Sequence, residues 1–297
     1  MSIINYRKIF FTLSALLVAG SIISIFLYGF TLGTDFKGGS VLEVSYANRR
    51  PDLDSTKVSL EKFNLGNYLL TPSGEKNYIL KARELNPQEK VSIEQVLSQT
   101  SAGPATEIRF NSIGPTVGAQ LKHKASIAII AVIICIVLFI TFAFRKVSHP
   151  VASWKYGLAT IIALAHDVII PTGVFVLWSH FRGGEIDLLF VTALLAILGY
   201  SVHDTIVVFD RIRENLHHAG KNESFSETVG KSVSQTFGRS INTSLTIFLA
   251  LIALYLVGGA TTKDFAFVLL VGIIAGTYSS IFVASPLLVT LEKLQKK

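Results

Sequence analysis

Two aspartates occupy stretches in which water should be scarce, and they are the first candidates for chemistry. Asp204 lies in Leu198-Gly199-Tyr200-Ser201-Val202-His203-Asp204-Thr205-Ile206-Val207-Val208-Phe209, and Asp167 in Ala163-Leu164-Ala165-His166-Asp167-Val168-Ile169-Ile170-Pro171. A carboxylate near the middle of a bilayer costs ~2.5–3.5 kcal/mol even on the insertion scale. Stability alone would favour an apolar residue there, so such a group reads first as part of an ion or proton path. The plainer reading is a buried aspartate that caps backbone or ties helices together. Pro171 strengthens it for Asp167, because proline has no N–H and leaves the carbonyl four residues back without its helical partner. Pro286 frees the carbonyl of Phe282 in the same way.

Arg239, in Phe237-Gly238-Arg239-Ser240-Ile241-Asn242-Thr243, is the expected partner of Asp204. Thr243, one turn further along the same helix face, is the second. An arginine stays charged, so it holds Asp204 ionised when near and lets it take a proton when it moves away. The plainer reading is an arginine snorkelling to lipid phosphate. His166 and His203 adjoin the aspartates, but successive helical residues point ~100° apart, so neither pair is expected to be a hydrogen-bonded dyad. They read as polar residues satisfied between helices, with a relay as the alternative. His217-His218 has no cysteine or carboxylate cluster at ligand spacing, and the single Cys135 lies in an apolar run, so no metal site is expected. Asp210, Arg211, Arg213 and Glu214 read as a solvated charge network.

Half of the 297 residues are hydrophobic and 16% are charged, against ~25% charged in soluble proteins. That composition argues against a soluble enzyme. Spanning ~30 Å of hydrocarbon takes ~20 apolar helical residues, and six runs qualify: Ile9–Phe30, Ala125–Phe144, Tyr156–Trp178, Ile186–Phe209, Thr243–Gly259 and Phe265–Val289. The first is too long for a signal peptide and lacks a clear A-x-A site, so it reads as an uncleaved anchor. The last two form a hairpin about Gly258–Asp264. Arg7, Lys8, Arg145, Lys146, Lys155, Arg211, Arg213, Lys221, Lys231, Lys293, Lys296 and Lys297 flank one side, while the opposite short loops hold Arg182 and Lys263. By the positive-inside rule both termini are cytoplasmic. Asp204 near the inner end of the fourth run and Arg239 before the fifth then lie at similar depth.

The chain therefore divides into residues 1–30 (tail and first span), 31–124 (an extracytoplasmic domain) and 125–297 (five spans with a cytoplasmic loop 210–240). In the domain, Ser40–Tyr46, Tyr68–Leu70, Tyr78–Ala82 and Glu107–Phe110 read as strands, and Ser55–Phe63 and Pro87–Gln99 as helices. Residues 71–76, with Pro72 and Gly74, read as a hairpin turn. The order is β-α-β-β-α-β, the split βαβ arrangement of an α+β domain. Its charges nearly balance, so nucleic acid is not an expected partner despite the chain's net +7. Ser224-Phe225-Ser226-Glu227 is a capping box opening a helix with Phe225, Val229, Val233 and Phe237 on one face. That helix is expected to pack on the cytoplasmic end of the bundle or to lie among lipid headgroups.

Three stretches together resemble the SecF family, membrane subunits that work with SecD beside the bacterial protein-export channel. They are Gly33-Thr34-Asp35-Phe36-Lys37-Gly38-Gly39, the run from Leu198 through Asp210-Arg211-Ile212-Arg213-Glu214, and Arg239-Ser240-Ile241-Asn242-Thr243-Ser244. The resemblance covers essentially the whole chain. It implies six helices similar to half of an RND-type transporter, with Asp204 as proton-binding group and Arg239 and Thr243 as its modulators. It further implies SecD as heterodimer partner, the SecYEG channel and YajC nearby, an unfolded preprotein as substrate, membrane lipids around the spans, and the bacterial inner membrane as location. No cofactor is implied beyond H⁺ or Na⁺ as coupling ion. Gly33, Gly38, Gly39, Gly114 and Gly118 are candidate hinges between domain and spans, or plain turns.

Three other classes compete. Two intramembrane aspartates also fit an aspartyl protease, whose carboxylates share a proton; no Gly-x-Gly-Asp stretch surrounds either one, and a nearby arginine would oppose sharing. A small-molecule exporter of the RND type would carry about twice as many spans. A passive scaffold would not need Asp204 at all.

Overall fold

The computed structural model describes residues 3–99, 103–145, 151–220 and 223–295. Lys146, Lys221, Lys296 and Lys297, used in the charge count, lie outside them. The chain forms two compact units. The larger comprises Met1–Thr31, Ile127–Gly184 and Leu189–Lys297; the smaller comprises Leu32–Ser126 together with Glu185–Leu188.

In the smaller unit a short helix α2 (Thr34–Lys37) leads into β1 (Gly39–Tyr46). Then come α3 (Leu53–Leu60, prolonged by a 3₁₀ turn Glu61–Phe63), β2 (Leu69–Ser73), β3 (Asn77–Ala82), α4 (Pro87–Ser98) and β4 (Ala105–Ile113). The β-α-β-β-α-β order matches the sequence reading. The sheet runs β2-β3-β1-β4 and every neighbouring pair is antiparallel. Period-two alternation sends Leu42, Val44 and Tyr46 of β1 and Tyr78, Leu80 and Ala82 of β3 into one core with Leu60, Ile93 and Leu97, as a sheet with one covered face requires. A bulge between Glu43 and Val44 leaves Ile108 without a partner across the β1–β4 pair. Pro72, expected in the turn, is instead paired with Tyr78. It is tolerated because β2 is an edge strand, where a missing N–H removes no ladder bond. At the start of α4 the Asn86 side chain accepts from Glu89 N–H and the Glu89 carboxylate accepts from Asn86 N–H. Arg83 clamps the same carboxylate at 2.6 Å.

The larger unit is built from α1 (Arg7–Tyr28), α5 (Pro115–Ala143) from Ile127 onward, α6 (Ser153–Arg182), α7 (Leu188–His218) from Leu189 onward, α8 (Phe225–Val257), α9 (Ala260–Ser279), a π-turn (Ser280–Ala284) and α10 (Ser285–Gln295). Among the described residues, six stretches are long and apolar enough to cross a membrane: Arg7–Tyr28, Pro115–Ala143, Ser153–Arg182, Leu188–His218, Phe225–Val257 and Thr261–Leu294. Segment 210–240 is not the loop expected of it: α7 continues to His218 and α8 starts at Phe225. Both helices outrun the apolar stretch because their polar ends bond each other. Arg211 Nε donates to Gln235 Oε1 at 2.7 Å, and Asn215 donates to Ser232 Oγ at 2.8 Å. The capping box forms, with Ser224 and Glu227 each accepting from the other's N–H. Phe225, Val229 and Val233 enter a core with Ile3, Ile4, Ile212, Leu288 and Val289, so the expected separate helix is the first part of the fifth span.

Small residues set the span contacts, as expected where lipid is as apolar as leucine. The buried residues of α1 are Ser14, Ser21 and Ser24, and Ser24 Oγ donates to Gly173 O on α6 at 3.0 Å. The buried Lys155 is anchored by donating to Leu291 O at 2.8 Å.

Candidate functional site

A strip of small hydroxyl residues along α8 (Ser232, Thr236, Ser240 and Ser244) recurs every fourth position and is buried. It stacks on one helix face and brings Ser240 against α7. There Ser240 Oγ donates to Oδ1 of Asp204 at 2.5 Å. Asp204 is 6% exposed, and its Oδ2 is buried with no hydrogen-bond partner among the described residues. One turn further along α8, Ser244 Oγ lies 2.6 Å from both Tyr200 Oη and Thr277 Oγ1. Beside Asp204, Thr205 Oγ1 and Ser280 Oγ are 2.8 Å apart. Asp204 is thus a desolvated carboxylate held through one oxygen by Ser240.

Arg239 and Thr243 are not brought to Asp204; both are exposed on α8. The reason is helix phase. Residue 239 points ~100° from residue 240, and residue 243 lies ~60° off the same line, so the neighbour with the short side chain takes the buried face. His203 is also exposed. Hydropathy gave Ser240 no signal, because serine is unremarked in an apolar run; its four-residue repeat with Ser232, Thr236 and Ser244 was the available clue.

Asp167 is fully buried and fully engaged. Ser201 of α7 and Ser279 of α9 both donate to its Oδ2, the latter at 2.7 Å. His166 Nδ1 lies 2.8 Å from its Oδ1, which corrects the expectation that adjacent helical residues form no dyad. The two Cβ atoms diverge, but the ring nitrogen and the carboxylate oxygen are far enough out to swing together. No hydrogen bond joins Asp167 to Asp204 among the described residues, so the shared-proton pair of an aspartyl protease is not assembled. Nor do three His, Cys, Asp or Glu side chains converge as a metal site among those residues.

Gly38, Gly39 and Gly118, among the candidate hinge glycines, lie in tightly built backbone. Gly38 has φ +80°, and a Cβ there would stand 2.8 Å from Pro115 Cα; one on Gly118 would stand 2.9 Å from Gly38 N. Gly39 also has positive φ and Gly33 N–H donates to Ile186 O at 2.8 Å, whereas a Cβ on Gly114 would stand 3.6 Å from the Glu84 carboxylate, an ordinary contact. Such close approach explains glycine at 38 and 118 without any swivelling. Asp35, in the same motif, accepts from Leu188 N–H at 3.0 Å, a capping role the sequence reading missed.

Among the described residues, six membrane-length apolar helices, with an α+β domain between the first two in sequence and a buried carboxylate in the fourth, define a multi-pass membrane protein. Two family models match the chain: protein export membrane protein SecD/SecF, C-terminal, over residues 92–294, and the SecD/SecF GG motif over residues 23–48. The chain belongs to the SecD/SecF family of protein-export membrane proteins. The protein translocase subunit SecF of Thermobaculum terrenum is 43% identical, over 98% of this chain and 94% of its own length. That of Vibrio alginolyticus is 35% identical, over 97% and 88%. Among solved structures, SecDF from Thermus thermophilus, described as a translocon-associated membrane protein, superposes with a TM-score of 0.83 at 31% identity. This chain is covered to 99% there but spans 39% of that longer SecDF chain.

Proposed function

We propose that this chain is the SecF half of a SecD–SecF heterodimer that uses an ion gradient to promote a late stage of preprotein export. It acts beside the SecYEG channel, with YajC, in the bacterial inner membrane, with both termini cytoplasmic and residues 31–124 outside. The observation that carries the coupling is Asp204, 6% exposed, held through one oxygen by Ser240 and bare at the other. Taking up H⁺ or Na⁺ at that oxygen neutralises a charge that hydrocarbon disfavours. A rotation of α8 by about one residue's phase, ~100°, exchanges Ser240 for Arg239 beside the carboxylate, with Thr243 following, and so links ion occupancy to helix position.

One charge crossing 100 mV yields ~2.3 kcal/mol, enough to bias a two-state movement ~50-fold. That suffices to tilt an external domain, not to unfold a stable substrate in one stroke. A partner is supported by the 39% coverage of the SecDF chain. It is supported equally by Gly199, His203, Arg239, Asn242 and Thr243, exposed on the two helices that carry the site. Polar groups facing lipid are costly, and a second set of spans would cover them. The test is export into inverted vesicles containing SecD, after ATP is removed and a gradient imposed. Asp204→Asn should abolish the gradient-dependent part; undiminished export would refute the coupling and leave a scaffold.

A further inference from the structure

One side of α8 takes no part in the Asp204 site. Gly230, Ser234, Phe237, Ile241, Leu245 and Phe248 follow one another at steps of three or four residues, so they form a continuous stripe along the helix. Two hollows open on that stripe. The lower, of about 470 Å³, lies where Ile4 and Asn5, just before α1, meet Gly230, Lys231 and Ser234. The upper, of about 330 Å³, lies between Ile241, Leu245 and Phe248 of α8 and Ile274, Thr277 and Phe282 of the last span. Gly238, between them, has nothing within 4 Å of where a Cβ would stand, which leaves the stripe unobstructed there.

The two ends differ in chemistry. In the upper hollow the polar side chains are spent within the wall: Ser244 Oγ lies 2.6 Å from Thr277 Oγ1, and Tyr278 Oη donates to Phe10 O at 2.9 Å. What is left to touch an occupant is hydrocarbon and aromatic ring. The lower hollow is polar and cationic. Lys231 lines it, and Arg7 is tied to its rim by donating to Ile4 O at 3.4 Å. Glu227 lines it too, but its carboxylate is committed to the helix cap, accepting from Ser224 N–H at 2.8 Å.

Depth and size fit one lipid. Tyr6, exposed beside Asn5, has the amphipathic ring that sits at headgroup level. Ser234 to Leu245 is eleven residues, ~16 Å at 1.5 Å each, and one leaflet of a ~30 Å hydrocarbon core is ~15 Å deep. A single turn of helix ~10 Å across fills ~420 Å³, more than the upper hollow offers. The exposed polar residues Arg239, Asn242 and Thr243, which a second set of spans would cover, are turned ~100–200° away from Ile241 around α8. We propose that this crevice holds one anionic phospholipid of the leaflet on the N-terminal side, its phosphate at Lys231 and Arg7 and one acyl chain between α8 and the last span. Basic pockets between spans are where anionic headgroups bind. The site stands whether or not Asp204 couples ions.

The test is photolabelling of the full chain with SecD in phosphatidylcholine nanodiscs. The discs carry either phosphatidylglycerol or phosphatidylcholine with a diazirine in its acyl chain, and labelled peptides are read by mass spectrometry. The exposed α5 side chains Ile130, Ile134 and Leu138 report bulk lipid. Relative to α5, phosphatidylglycerol should label residues 241–248 and 273–282 about 25-fold more than phosphatidylcholine does, two cations contributing about fivefold each. Lys231→Gln, on an exposed side chain, should cut that excess about fivefold. Leu245→Trp, which fills the upper hollow, should remove the label from 273–282 and leave α5 unchanged. An excess below about fivefold, or one that Lys231→Gln leaves intact, overturns the proposal, the cleft then meeting bulk lipid only. Absence of label in the cleft while α5 is labelled overturns it as well and marks the cleft as covered by the partner's spans or a second copy.

Discussion

A double-mutant cycle on Ser201 and Asp167 measures a buried contact that joins α6 to α7. Ser201→Ala removes the α7 donor from a carboxylate that is 0% exposed and takes two hydroxyls on one oxygen. Hydrogen bonds between spans average ~0.6 kcal/mol in such cycles and reach ~1.7 kcal/mol, while a bond to a charged acceptor in soluble proteins is worth ~1.5–3 kcal/mol. Complete burial places this one at the upper end of the first range, so the coupling with Asp167→Ala, which removes the acceptor, should be ~1–2 kcal/mol, a factor of ~5–30 in the folded ratio. Unfolding of the full chain in mixed micelles, followed by helical signal against denaturing detergent, gives the four free energies. Independent sites add within ~0.3–0.5 kcal/mol. A coupling inside that band would refute the claim that Asp167 ties α6 to α7.

Further outcomes concern the smaller unit. Glu89 is held down to about 2 from 4.5, first by the Arg83 guanidinium and then by the Asn86 N–H. Because the folded value lies below the unfolded one, its contribution is full above about pH 4.5 and disappears as pH falls through about 2; acid titration of Glu89→Gln should lack that step. Leu97→Ala, in a fully buried position, should cost ~2–5 kcal/mol, while Val91→Ala on the exposed side of the same helix should stay within ~0.5 kcal/mol. Gly38→Ala adds a Cβ 2.8 Å from Pro115 at φ +80° and should cost ~2 kcal/mol or more, read as a lowered melting temperature. A free hinge would tolerate it.

Most of the architecture was legible because it follows from periodicity and length. Apolar runs of membrane length announced the spans, and the alternation in Leu42-Glu43-Val44-Ser45-Tyr46 and the capping box at Ser224–Glu227 announced local structure that formed. Element ends were less legible. Helices α7 and α8 extend beyond their apolar runs on Arg211–Gln235 and Asn215–Ser232 bonds, which pair residues too far apart in sequence to be anticipated. The site was half legible. An aspartate in hydrocarbon stands out by its cost, so Asp167 and Asp204 were found. The groups that hold them are serines, which cost little in an apolar helix and carry no charge to attract notice. Charge drew attention to Arg239, whereas helix phase gives the buried position to Ser240. Likewise Pro286 hinted at a disturbed last span, but a freed carbonyl does not reveal that the backbone resolves it as a π-turn beginning at Ser280.

Ion passage itself tests the account most directly. The chain reconstituted with SecD in sealed liposomes, loaded with a pH-sensitive or a sodium-sensitive dye, should conduct one of the two ions when a gradient is imposed, and Asp204→Asn should abolish that flux with the complex still assembled. Equal flux through the unaltered and Asp204→Asn complexes would contradict it.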